Sequence, residues 1–132
     1  MPKFETGKNK DNEHNVAKKI SEFTGYDMIE FGEFSSCDFL ASKNGKAIAL
    51  VEVRVRSKMY DTFYFAKKKR DDLLTLSKLL RIPAYMAVQF PDTLMYIDIS
   101  REPDKYSFGG RNDIRVPQDK EDLVEYKIMQ HK

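Results

Sequence analysis

The chain has 132 residues, 41% hydrophobic and 12% aromatic, enough for one folded domain around one core. It has no run of about 18 or more apolar residues, so no membrane span is expected, and Met1-Pro2-Lys3-Phe4 lacks the apolar centre of a signal peptide. Cys37 is the only cysteine, which excludes an internal disulfide and suits a reducing, cytoplasmic setting.

Net charge is only +2, but it is unevenly spread. The segment from Lys43 to Arg81 holds 11 Lys or Arg against 4 Asp or Glu, a local +7, and the remainder carries −5. A basic segment on an otherwise acidic chain points to an anionic partner or to a solvated helix face.

Residues 1–10 are polar and Lys-rich and read as a flexible arm, leaving 11–132 as a single domain. Asp11 or Asn12 is a candidate helix cap, and Gly25 a stop near Phe23. Val16, Ile20 and Phe23 fall at helical spacing and form the expected buried face. Glu13 shares that face. It is either a first-turn acid favoured by the helix dipole or a residue aimed at a site.

Met28–Phe34 reads as a strand. Cys37–Ser42 and Lys46–Arg56 read as a hairpin about Asn44-Gly45. On the second of these strands Val51, Val53 and Val55 face one way, while Ile48, Leu50, Glu52, Arg54 and Arg56 face the other. A connection rich in aromatics covers 57–65. A helix is expected from about Phe65 to Leu80, stopped before Pro83, with Leu73, Leu76 and Leu80 as its buried stripe. Lys69 lies on that stripe, with Lys67, Lys68 and Arg70 splayed around it. Ala84–Phe90 and Leu94–Ile99 read as a second hairpin about Pro91-Asp92. In the tail, Ser107–Arg111 holds a Gly-Gly turn, and Leu123–Met129 fits a strand or a short helix equally. The order of elements gives an α/β fold with a mixed central β-sheet flanked by helices.

Asp38 and Glu52 carry most of the chemical information. Two carboxylates brought together at a sheet edge repel each other unless a cation lies between them, and oxygen-rich sites suit Mg²⁺ or Mn²⁺. Arg54, two residues beyond Glu52, shares its face and could neutralise a bound anion. Register decides whether the pair exists. A two-residue turn at Asn44-Gly45 would set Asp38 opposite Val51 and turn it away from Glu52. A three-residue turn with Gly45 as a left-handed bulge would set Asp38 opposite Leu50, on the face of Glu52. The metal-site reading therefore expects the bulged turn.

Other constellations are weak. Two histidines, His14 and His131, with one cysteine make a zinc site improbable. Ser35 and Ser36 have no base at a known spacing. Gly109-Gly110 lacks the setting of a phosphate loop.

The element order, Asp38 and the Glu52-Val53-Arg54 triplet resemble the PD-(D/E)XK nuclease superfamily, in particular its small single-domain members such as Holliday junction resolvases and short phage or bacterial nucleases. The likeness runs from about Asp11 to Ile99. It implies a restriction-endonuclease-like fold and a metal-dependent nuclease, with Glu13, Asp38, Glu52 and Arg54 converging on the metal and the Val53 carbonyl as a further ligand. Two positions depart from the pattern. Cys37 stands where the family has proline, and Arg54 stands where it has lysine. Arginine stays protonated and cannot act as a base, though it binds phosphate well. Lys69, then Lys68, is the candidate lysine substitute. Arg54, Arg56, Lys58, Lys67, Lys68 and Arg70 are the candidate backbone contacts, with Tyr60 and Tyr64 as candidate stacking groups. The expected partner is nucleic acid, DNA before RNA, with a homodimer built through Leu94–Ile99 and the tail. The competing readings are a catalytically inactive nucleic-acid-binding protein on the same fold and a protein–protein adaptor.

Overall fold

The first helix, α1, spans Gly7–Thr24 and ends where Gly25 takes a left-handed φ of +77°, its N–H donating to the Ser21 carbonyl at 2.8 Å. It starts ahead of the Asp11 or Asn12 cap expected from sequence, so residues 7–10 are helical. The structure is a computed structural model, and it describes residues 7–32, 37–59, 62–109 and 121–127. Tyr60, Ser35, Ser36 and the Gly110-Arg111 end of the tail turn lie outside the described residues, as does His131.

Val16, Ala17 and Ile20 of α1 are buried, but Phe23 is 85% exposed. Phe23 points within about 20° of the direction of Val16 but lies in the last turn of the helix.

Among the described residues, α1 is followed by strands and one further helix in the expected order, and two strands appear that the sequence pattern does not announce. The main sheet is built from β1 (Asp27–Glu30), β2 (Phe39–Lys43), β3 (Lys46–Val55), β5 (Ala84–Gln89) and β6 (Leu94–Asp98). Its order is β1-β2-β3-β5-β6, with β3 and β5 parallel and the other pairs antiparallel. Between β3 and β5 the chain makes β4 (Thr62–Ala66) and α2 (Lys67–Leu80). β4 occupies what reads in sequence as a connection. It joins β8 (Glu121–Lys127) and β7 (Lys105–Gly109) in a separate antiparallel sheet, order β4-β8-β7. The tail segment that fitted strand or helix is therefore strand β8 through Lys127.

The main sheet is buried on both faces. Val16, Ala17 and Ile20 of α1 pack with Phe39, Ala41, Val51, Val53 and Ala87. On the other face Leu50, Met86 and Val88 pack with Leu73 of α2 and with Phe63, Phe65, Val124 and Tyr126 of the smaller sheet. Of the stripe expected on α2, Leu73 is fully buried and Leu76 half-buried, but Leu80 is 51% exposed beside the left-handed Arg81 cap that ends the helix.

The β2–β3 hairpin takes a register that neither expected turn anticipates. Asn44 and Gly45 both have positive φ, 53° and 76°, and form a two-residue turn that pairs Lys43 with Lys46. A β-bulge then intervenes. Ser42 pairs with Ala47, but Ala41 pairs with Ala49, so Ile48 is the extra residue on β3. The shift carries through Leu40↔Leu50 to Phe39↔Val51. The bulge lies in the strand rather than in the turn, and its effect is to bring Asp38 level with Glu52 on one face.

Candidate active site

Glu52 is held on β3 on the face that looks towards α2, and only 2% of it is exposed. Asp38 lies just before β2, at the end of the ladder. The two are laced together by the backbone. The Asp38 N–H donates to Glu52 Oε1 at 3.2 Å, and the Val53 N–H donates to Asp38 Oδ2 at 2.9 Å. Each carboxylate is thus fixed by a main-chain donor of the opposite strand.

Two cationic side chains meet Glu52 Oε2. Arg54 Nη1 donates to it at 2.5 Å, and Lys69 Nζ lies 3.5 Å away. Arg54 Nη1 also donates to the Val53 carbonyl oxygen at 3.0 Å and stands 4.0 Å from Asp38 Oδ2. A buried carboxylate without such partners would be costly. Lys69 reaches the site because α2 packs over this face, and position 69 lies one helical turn before the buried Leu73.

Burial and, next, the charge of Glu52 push the Asp38 carboxyl up to about 6, against the opposing pull of the Val53 N–H, Arg54 and Lys69. Cys37 is buried beside the pair, and burial drives its thiol up to about 12. It is no thiolate nucleophile at neutral pH. Its sulfur lies 3.4 Å from the carbonyl oxygens of Phe39 and of Val51, which can accept its S–H.

The oxygens of Asp38, Glu52 and the Val53 carbonyl are a hard donor set of the kind that suits Mg²⁺ or Mn²⁺. That a guanidinium nitrogen already stands among them means the position accepts positive charge. Among the described residues no third His, Cys, Asp or Glu joins Asp38 and Glu52 in a metal-sized group, so Glu13 does not complete a carboxylate trio with them. The buried residues of α1, the helix that carries Glu13, pack on the sheet face opposite to that of Glu52.

The remaining basic residues divide. Lys67 and Lys68 lie on the surface of α2 in i,i+4 pairs with Asp71 and Asp72, at 2.8 and 2.9 Å. Lys58 is exposed, and Arg56 stacks its guanidinium 4.9 Å over the Phe63 ring. Arg70 does not splay outward as its sequence position suggests. It is only 8% exposed, and its Nε donates to the Tyr126 hydroxyl at 2.8 Å, tying α2 to β8. No signal in the sequence links positions 70 and 126. Tyr64 is 49% exposed, while Phe63 and Phe65 are core.

A family model described as "Phage putative PDDEXK endonuclease" matches residues 1–132. Among solved structures, the fold is similar to that of Archaeoglobus fulgidus Hjc, a Holliday junction resolvase from an archaeal hyperthermophile. The TM-score is 0.64 at 16% identity, covering 92% of this chain and 84% of that one. No curated protein matches the sequence.

Proposed function

The chain belongs to the phage PDDEXK endonuclease family, and from that premise we propose that it is a divalent-metal-dependent endonuclease that hydrolyses phosphodiester bonds in DNA. The observation that carries this reading is the lacing of Asp38 to Glu52 across β2 and β3, with Lys69 of α2 brought to the same carboxylate.

Asp38, Glu52 and the Val53 carbonyl would hold Mg²⁺ or Mn²⁺. The metal, when bound, supplies an acidified water and polarises a phosphate oxygen. The chain's own residues do the rest. The main-chain donors Asp38 N–H and Val53 N–H fix the carboxylates in position. Lys69, near Glu52 and able to lose a proton as arginine is not, takes the role that the family gives to the lysine replaced by Arg54. Arg54 offers a fork of donors to the phosphoryl oxygens.

Four consecutive cations, Lys67 to Arg70, open α2, at the end of the helix where the dipole is already positive. That arrangement is unfavourable for the helix and favourable for a phosphate backbone running past the site. Lys58, Lys67 and Lys68 supply the exposed part of this surface. Arg70 contributes from within by anchoring the helix.

A branched duplex is the substrate class proposed, on the fold-level likeness to a protein described as a Holliday junction resolvase. Two symmetric cuts ask for two sites, and β6, an outer strand of the main sheet with Tyr96 exposed, is the proposed contact in a homodimer. Light scattering that gives a monomer at micromolar concentration with and without branched DNA would remove the dimer. Cleavage of labelled single-stranded, duplex and branched DNA, with RNA alongside, tests the substrate. Cutting confined to RNA, or cutting unaffected by chelator, would overturn the reading.

A further inference from the structure

We propose that the Arg54 guanidinium and a divalent cation are alternative occupants of one position, so that loading the site requires Arg54 to swing out of it. The inference deepens the nuclease reading and rests on it. Its basis is a coincidence of atoms. Arg54 Nη1 lies 2.5 Å from Glu52 Oε2, 3.0 Å from the Val53 carbonyl oxygen and 4.0 Å from Asp38 Oδ2. These belong to the three groups that make up the hard donor set. One nitrogen therefore stands against two of these groups and 4.0 Å from the third, where a cation held by all three would meet it in volume and in charge.

The identity of the residue sharpens the consequence. A lysine at this position could relieve the conflict by giving up its proton. Arginine stays charged at any physiological pH, so movement is its only way to yield. The side chain has room for it, because 30% of it is already exposed. Glu52 keeps a cationic neighbour after the move, since Lys69 Nζ lies 3.5 Å from the same oxygen. The displaced guanidinium remains tethered two residues from Glu52, at the mouth of the site, and its planar fork suits a phosphate.

Arg54 thus has two roles in sequence. It neutralises the carboxylates of the unloaded site, and it becomes a phosphate ligand once metal enters. A phosphate that captures the outward guanidinium favours metal entry, and by linkage metal favours phosphate binding.

The direct test is Mn²⁺ affinity, read from the electron paramagnetic resonance of free Mn²⁺, for the parent and for Arg54→Gln, with folding of each checked by thermal melting. Removing the competing cation and its two hydrogen bonds should tighten Mn²⁺ binding about tenfold or more. Equal or weaker binding by a folded Arg54→Gln overturns the proposal. Should that variant fail to fold, the side-chain signal of the parent answers instead. Its Arg54 side-chain Nε–H signal, assigned by its loss in Arg54→Lys, should shift and exchange faster with solvent as Mg²⁺ saturates. A signal unmoved at saturation overturns the proposal. Metal-dependent cleavage by a parent whose Arg54 signal does not move sinks the displacement and leaves the nuclease reading standing. No Mn²⁺ binding together with no metal-dependent cleavage sinks both.

Discussion

Asp38 and Glu52 face each other at the end of the β2–β3 ladder, and the Asp38 N–H donates to Glu52 Oε1 at 3.2 Å. The bond runs from the backbone of one acid to the side chain of the other. Replacing the Asp38 side chain therefore leaves it intact. Asp38→Asn should fold, keep nucleic-acid binding and lose cleavage by about a thousandfold or more. Parallel cleavage and filter-binding assays check it. Retained metal-dependent turnover in Asp38→Asn would remove this residue from the site.

Lys69 is predicted to act in the chemical step and not merely to balance Glu52. Lys69→Met should lower kcat about a hundredfold or more with little change in KM, and Lys69→Arg should restore stability without restoring rate. A raised KM with an unchanged single-turnover rate would assign Lys69 to substrate binding instead.

The raised Asp38 carboxyl predicts a pH dependence of stability. Its ordinary value is 3.8 and its folded value about 6, so the folded state holds this proton more tightly than the unfolded chain. The stabilisation is fully present below about pH 3.8 and is lost as pH rises through about 6. Its size is at most about 2–3 kcal/mol, Asp38 being 28% exposed. Denaturant melts in chelator, between pH 4 and 7, should show the parent losing stability relative to Asp38→Asn across this window. Parallel curves would mean that Asp38 titrates normally.

Gly45 holds a φ of +76° in the two-residue turn, and a Cβ built on it meets nothing within 4 Å. Gly45→Ala should therefore cost only the left-handed strain, about 1 kcal/mol. Activity should survive, because the bulge at Ile48, rather than the turn, sets the Asp38–Glu52 register. Weaker cleavage at unchanged stability would show the turn itself reaching the site.

Lys67 and Lys68 pair with aspartates of their own helix across exposed faces, so replacing both by Gln should cost little stability. DNA affinity should fall, and the slope of log K against log salt should flatten by about one for each phosphate no longer neutralised. An unchanged slope would place the DNA elsewhere.

Much of the face that carries Glu52 is legible in the sequence because its signals are local. Val51 and Val53 alternate with Leu50, Glu52 and Arg54, Asn44-Gly45 marks the hairpin, and Lys69 sits one helical turn before Leu73. The bulge was not legible. Nothing about Ile48 among Ala47, Ala49 and Leu50 marks it as the unpaired residue, and the expected register followed the turn alone. The smaller sheet was hidden for a different reason. Its strands come from residues 62–66, 105–109 and 121–127, and their pairing depends on contacts between distant segments. The burial of Arg70 is hidden with it, since its partner Tyr126 lies 56 residues away. Phe23 and Leu80 read as core by spacing and are exposed, each in the last turn of its helix.

The decisive measurement is cleavage of labelled branched, duplex and single-stranded DNA with Mg²⁺, Mn²⁺ or chelator, with Glu52→Gln beside the parent. A site built on Asp38 and Glu52 requires metal-dependent cutting by the parent and none by a folded Glu52→Gln that still binds DNA. Cutting that survives in Glu52→Gln or in chelator would refute it, as would salt-sensitive binding with no cutting by the parent under any metal.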